Sequence, residues 1–255
     1  MNSFVKITML CVMILYQEGK CQMISSAAIQ TDSVTVSSIK KNTYLGFEVA
    51  VANDIYKLTD SGEYLKSVPL YNVAWGFNVR QIFRQIFVEG GFIIKYYQEG
   101  FGFETIPYYA TSSSDASWLI PLRGGINLNV YKQKLFLVPV IGYTFGINPP
   151  FGYGSGYGKQ ESDATSIEYT VVEKDNAYRY FSLLQLGAGL ETKVFKSLLI
   201  NLSINYYMGF NTILEEDITY SVNSAPAETG NAISKGNFWN VNMGIKYPIS
   251  TFWQR

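Results

Sequence analysis

Histidine is absent from all 255 residues of the chain, and both cysteines, Cys11 and Cys21, lie close to the N-terminus. Without imidazole the usual general base of serine and cysteine hydrolases is missing, and so is the commonest metal ligand. Only oxygen ligands remain for a metal, and the carboxylates show no calcium-loop spacing. The run Pro149-Pro150-Phe151-Gly152-Tyr153-Gly154-Ser155-Gly156-Tyr157-Gly158-Lys159 has the glycines of a phosphate cradle but not its setting. A phosphate loop needs a strand before it, a helix after it and Lys-Ser or Lys-Thr, whereas Lys159 is followed by Gln160 and no helical pattern. The run reads instead as an external loop with exposed tyrosines, a candidate contact surface for sugar or protein. No catalytic residue, metal or cofactor is expected. A formal net charge of zero gives no reason to expect a nucleic-acid partner.

The charged residues that invite a chemical reading are Glu48, Arg80, Glu89, Lys95, Arg123, Glu191, Lys193 and Lys246. Each lies on the polar face of a segment in which apolar and polar or small residues alternate, the period of a strand with two unlike faces. If those faces point inward, the charges must be paired, and they form a charge network within a lumen. Its bases outnumber its acids, so Asp54 or water near the rim is needed to complete it. Inward glycines such as Gly76, Gly125 and Gly244 leave room for a water-filled gap, which keeps a narrow pore open as a second use of the same residues.

Alternation is longest at Leu198–Thr212, where Ile200, Leu202 and Ile204 face one way and Asn201, Ser203 and Asn205 the other. About fifteen residues in phase is far beyond the five or six of an ordinary strand, and enough to cross a bilayer at a tilt. Similar segments occur at Tyr44–Tyr56, Tyr71–Val79, Ile86–Tyr97, Trp118–Val130, Leu135–Ile147, Leu184–Lys193 and Trp239–Ile249, making eight. The links between them alternate strictly. Short ones lie around Arg80–Gln85, Tyr131–Lys134 and Phe195–Ser197; long ones span Lys57–Pro69, Glu99–Asp115, Asn148–Ala177 and Leu214–Gly236. Short turns at one end and long loops at the other are the mark of an up-and-down membrane barrel; a Greek-key sandwich gives no such asymmetry. Ser166–Glu173 and Ile218–Val222 also look strand-like; ten strands is the alternative, but Glu168, Glu173 and Lys174 make a poor lipid-crossing face, so the two segments are read as extensions above a membrane. Pro121, Pro139 and Pro248 fall within strands, where bulges or strand ends are expected. Three of the four long links are acidic and the short ones basic, with Arg80, Arg84, Lys132, Lys134 and Lys196.

Composition agrees with this. Charged residues make up 16% and aromatics 16%, against roughly 25% charged in soluble domains. Lys6 followed by the apolar run Ile7–Tyr16 has the form of a signal peptide over 1–21, with Gly19 and Cys21 placed for cleavage. Lipidation of Cys21 is the alternative, disfavoured by Glu18 and Lys20. Residues 22–43 read as a polar periplasmic leader and 44–255 as the barrel.

The last strand contains Asn242-Met243-Gly244-Ile245-Lys246-Tyr247-Pro248-Ile249. Its Asn242, Gly244, Tyr247 and Ile249 resemble the C-terminal signal of barrels inserted by the barrel-assembly machinery, although six further residues follow. Together with the strand and link pattern, the chain resembles the small Gram-negative outer-membrane β-barrel family (OmpA-like, porin-family). The resemblance implies an all-β, closed, antiparallel up-and-down transmembrane barrel, an outer-membrane location and that machinery as partner. The remaining expected partners are outer-membrane lipid and lipopolysaccharide, with a monomeric, non-enzymatic chain. Three functional readings stay open: a structural or surface-interaction barrel acting through long acidic external loops, a narrow small-solute channel, and a soluble secreted lipocalin-like barrel.

Overall fold

A strand with one apolar and one polar face satisfies both only where the two faces meet different surroundings, and a closed sheet provides an inside and an outside. In the computed structural model the described residues are 42–132, 134–148, 155–162, 164–174, 179–194 and 198–249, with backbone alone at 99 and 107–115. The expected signal peptide, the leader up to residue 41, the Phe195–Ser197 link and the glycine-rich run up to Gly154 lie outside the described residues. Asn42 and Thr43, assigned above to the leader, open the first strand.

Every described element is a strand: β1 (Asn42–Asp60), β2 (Leu65–Ser67), β3 (Tyr71–Phe83), β4 (Ile86–Phe103), β5 (Ile106–Ile126), β6 (Leu128–Tyr131), β7 (Leu135–Ile147), β8 (Ser155–Ser162), β9 (Thr165–Glu173), β10 (Tyr180–Val194), β11 (Leu198–Gly209), β12 (Leu214–Val222) and β13 (Glu228–Pro248). Eight of them, β1-β3-β4-β5-β7-β10-β11-β13, pair antiparallel in that order. β13 returns to β1 from Tyr44↔Pro248 to Asp60↔Gly230, so the barrel closes. Cross-strand partners followed once round from Tyr44 pass through Arg80, Glu89, Arg123, Gly142, Gln185, Tyr207 and Phe238. They arrive at Asp54, ten residues further along β1. Ten residues of about 3.3 Å against eight strands about 4.8 Å apart tilt the strands by roughly 40°.

The facing is as the alternation predicts. On β11, Leu202 and Ile204 are exposed on the outer surface, while Asn205 is buried inside beside half-buried Ser203 and Asn201. The outward line of β1 runs through Leu45, Phe47, Val49, Val51 and Ile55, all exposed, with Asn53 before the last of them covered and donating to Leu70 O. At that tilt it covers about 25 Å of barrel height.

The prolines sit where the ladders are interrupted. β4 and β5 are in register at Gly90↔Leu122 and again at Ile93↔Leu119, and the two missing rungs lie beside Pro121. Pro139 stands where β5 has ended its pairing with β7 at Gly125↔Val140 and β6 has yet to begin at Leu128↔Leu137. Pro248 is the last residue of β13. Gaps and an end accommodate the missing donors; the one bulge nearby, between Asn129 and Tyr131, is not at a proline.

The long links are far more ordered than loops. β4 and β5 continue past the barrel as one hairpin, so Glu99–Asp115 is strand around a turn at Glu104. On the upper part of β13, β12 pairs, then β9, then β8, building a sheet β1-β13-β12-β9-β8 beyond the barrel. The segments Ser166–Glu173 and Ile218–Val222 thus belong to β9 and β12, outside the barrel. Phe101, Phe103 and Ile106 of the hairpin pack on Ile167, Tyr169, Ile218 and Tyr220 of that sheet, giving it a core of its own.

Inside the barrel Gly125 and Gly146 make room for rings, Gly187 and Gly244 for amide side chains, and Gly76 for the neighbouring backbone. A Cβ on Gly125 would lie 2.5 Å from the Phe87 ring and 2.6 Å from the Pro139 carbonyl oxygen. Phe87 is fully buried against this bare stretch of backbone, and the Arg80 guanidinium lies 3.8 Å from its ring centroid. Phe87→Ala therefore opens a cavity under a buried cation, and is expected to cost about 3–5 kcal/mol. The check is the urea midpoint of the detergent-refolded barrel against wild type.

Candidate functional site

The inward residues meet because the register tilts round the barrel, bringing side chains far apart in sequence to one height. Arg80 on β3 donates from Nε to Glu89 Oε2 on β4 (2.8 Å) and from Nη1 to Glu191 Oε2 on β10 (2.7 Å). Arg123 on β5 donates from Nη1 to Glu48 Oε2 on β1 (2.9 Å) and to Glu89 Oε1 (3.0 Å). Lys246 on β13 stands 3.6 Å from Glu89 and 3.8 Å from Glu191 and donates to Asn201 Oδ1 at 3.0 Å. Three acids and three bases thus form one neutral cluster. Amides extend it: Gln185 accepts from Arg123 Nε (2.9 Å), Asn242 donates to Glu48 (3.0 Å), and a chain runs from Gln185 to Asn205 to Asn240.

A second pair lies higher. Lys95 Nζ donates to Asp54 Oδ1 at 2.6 Å, and Asp54 also accepts from the Asn72 amide and the Gln98 backbone N–H. The lysine sits 3.9 Å from the Tyr97 ring centroid. Its carboxylate partner is Asp54, the residue that the surplus of bases called for. All eight of these charged side chains are at most 6% exposed. Above them Tyr207 stacks on Phe238 at 4.2 Å, and Tyr97 meets Phe238 and Phe181 edge-on. With Leu183, Ile213 and Leu214 these rings form an apolar layer across the barrel.

Seven of the eight residues proposed from the sequence are brought together in these two groups. Lys193 is not: it is exposed near the short-turn end of β10, two residues beyond buried Glu191. Parity along a strand tells the face and says nothing of the height. The partnering amides Asn72, Gln185, Asn201 and Asn205 share the inward parity, which was the signal for them. Of the residues read as an assembly signal, Asn242 and Gly244 point inward, Tyr247 is exposed outward, and the Ile249 N–H donates to Thr43 O just past the strand.

Little space is left. A cavity of about 30 Å³, the size of one or two waters, is bordered by Glu48, Arg123, Gln185 and Asn242 among others. Glu48 Oε1 and Asn242 Oδ1, both buried, have no protein partner there. Among the described residues no group of three or more Asp, Glu, Cys or His is placed to hold a metal. At the far end, Lys174 bridges Glu215 (3.1 Å) and Asp217 (2.8 Å), and Lys159 contacts Glu161 (2.7 Å). These carboxylates, read above as acidic loop residues, therefore carry bases.

No family model matches the chain, and no curated protein matches it significantly. Among solved structures it is similar to the outer membrane protein OprG from Pseudomonas aeruginosa, at 9% identity and TM-score 0.48, covering 82% of this chain and 97% of that one. It is also similar to Neisserial surface protein A, at 9% and 0.42 over 80% and 95%. A third likeness is to Ail, the attachment invasion locus protein of Yersinia pestis, solved with the heparin analogue sucrose octasulfate, at 12% and 0.37 over 81% and 99%. With TM-scores below 0.5 these likenesses decide nothing here, and the chain's own geometry carries the functional reading.

Two outcomes are expected. Arg123→Met leaves Glu48 and Glu89 buried and short of a base, and should cost about 3–5 kcal/mol. Adding Glu48→Gln restores neutrality and should return part of that loss in urea unfolding followed by tryptophan fluorescence. At the far end, burial works against the charge of Asp60. Hydrogen bonds from the Leu65 amide, the Tyr220 hydroxyl and the Gly62 amide outweigh burial and hold its carboxyl below the usual carboxylate range. A lowered folded pKa stabilises above the unfolded value of about 3.9 and loses that stabilisation as pH falls through the folded one. Protection of the Leu65 amide from hydrogen exchange should therefore drop at acid pH in wild type and be low throughout in Asp60→Asn.

Proposed function

We propose that the chain is an integral outer-membrane barrel of the small OmpA-like kind, sealed along its axis and non-enzymatic, which acts through the ordered sheet raised at its far end. The observation that carries this reading is the pairing of a closed lumen with a far-end sheet that has its own core. The outward apolar line of about 25 Å equals the height of the apolar band of outer-membrane barrels. Exposed Tyr71, Tyr96, Trp118 and Trp239 edge it toward the far end, and exposed Tyr131 and Tyr247 toward the near end, as aromatic girdles do. Exposed Arg84, Lys132, Lys134 and Lys193 stand at the near end, which we assign to the periplasm together with both ends of the barrel. Export by a signal peptide, insertion by the assembly machinery through the terminal pattern, a monomeric state and contact with lipopolysaccharide belong to the same proposal.

The polarity of the wall opposes a soluble lipocalin-like barrel, whose interior is apolar and exterior polar. The narrow-channel reading rests on the small cavity, but its lining stops short of Tyr97, Phe181 and Phe238. A conducting state would have to separate both the ion pairs and the rings.

Single-channel recording in planar bilayers tests the seal, and purified protein should give no stable openings. Openings abolished by neutralising Arg80 or Lys246 would overturn it. Sidedness is read with a membrane-impermeant maleimide. Thr219→Cys should label in intact cells and Lys132→Cys only after permeabilisation, and the reverse pattern removes the surface role.

A further inference from the structure

The far-end sheet has two unlike faces. One is buried in the second core. On the other, register sets polar side chains in rows across the strands. Thr59, Asn231 and Asp217 form one row on β1, β13 and β12. Thr229, Thr219 and Thr170 form the next, on β13, β12 and β9, with Tyr157 of β8 directly beyond and Ser61 joined to Thr229 at the other side. Strands lie about 4.8 Å apart, so three threonines repeat at nearly the length of one pyranose unit. The first two strands of these rows, with β12, enclose a groove of about 570 Å³, within the size range of small-molecule sites.

The groove is organised before anything enters it. Asn231 Nδ2 donates to Asp217 Oδ1 at 2.9 Å, and Lys174 Nζ stands 2.8 Å from the same oxygen. Ser61 Oγ donates to Glu228 Oε2 at 2.8 Å. Threonine side chains are stiff at χ1, so their hydroxyls are held with little freedom left to lose. Tyr157 is 70% exposed, a ring face open to stacking. The nearby acids Asp217, Glu215, Glu228, Glu161 and Glu168 outnumber the bases Lys174, Lys159 and Lys57, and Lys174 and Lys159 are already held by acids, so a polyanion meets an excess of like charge. A protein partner would look for buried aromatic and arginine anchors, and apart from Tyr157 the rows contain none.

We propose that this face binds an uncharged oligosaccharide chain. The threonine and serine hydroxyls and the Asp217–Asn231 pair exchange hydrogen bonds with sugar hydroxyls, and Tyr157 stacks on a sugar ring. The proposal deepens the surface role given above and rests on it.

The test uses the full mature chain in nanodiscs. Defined neutral hexasaccharides are titrated by calorimetry and saturation-transfer NMR, with a sulfated hexasaccharide of equal length as counter-probe. At least one neutral probe should bind saturably and the sulfated one not. Thr219→Val with Thr229→Val keeps shape and strand preference while removing two hydroxyls, and should weaken binding about ten-fold or more. Tyr157→Ala should do the same from a separate contact. Unchanged far-end hydrogen-exchange protection in both variants shows that the sheet is intact. The proposal is overturned if no neutral probe saturates, if the sulfated probe binds better, or if the variants bind as wild type does. Maleimide labelling separates the two claims. Thr219→Cys labelled from outside with no saccharide bound sinks this proposal alone, whereas labelling only after permeabilisation sinks the surface role itself.

Discussion

Eight strands that close with a displacement of ten residues leave an interior just wide enough for side chains. Every charge placed there is removed from water and must find its partner across the lumen. The tilt decides which partners are within reach. Tyr44, Arg80, Glu89, Arg123 and Gly142 are successive neighbours in one row. That row alone sets two guanidiniums against one carboxylate, and Glu48, Glu191 and Lys246 from the adjoining strands bring the cluster to neutrality. Two of the three bases are arginines, whose planar forks bridge two acids each, so the six charges lock into one geometry.

The apolar layer above this cluster lies between the ion pairs and the second core, which is built from Phe101, Phe103, Tyr169 and Tyr220. Lys95 and Asp54 sit at the boundary, where an ammonium between aromatic ring faces is stabilised by the rings as well as by its carboxylate.

Much of the barrel was legible because a period of two is a local property of the chain. Leu202 and Asn205 announce their faces without knowledge of any other strand. The identity of a partner is not local. Arg123 and Glu48 are 75 residues apart in sequence, and their meeting depends on the shear, which no single strand contains. For the same reason Lys193 has the parity of Glu191 but lies past the buried charge cluster. The stretch Glu99–Asp115 was hidden for a different reason. Its Gly, Ser and Thr lack alternating hydrophobicity, and its apolar residues Phe101, Phe103 and Ile106 serve the second core rather than a lipid-facing side. Ser166–Glu173 was visible because its inward Ile167 and Tyr169 supply the second core.

Strand length connects the two halves of the molecule. β1, β4, β5 and β13 run for 19, 18, 21 and 21 residues, while a tilted strand needs about nine to eleven to cross a bilayer. The surplus is continuous with the membrane wall, and the β1–β13 ladder passes into the upper part at a bulge where Lys235 and Gly236 are skipped, Gly236 having a φ of 76°. β1 and β13 thus carry the far-end sheet, and the β4–β5 hairpin packs against it. A surface held by paired strands and a core of its own loses little side-chain and loop entropy on binding, which suits a polar face with few apolar anchors. The paired charges and the ring layer inside the barrel give such a face a packed base on which to stand.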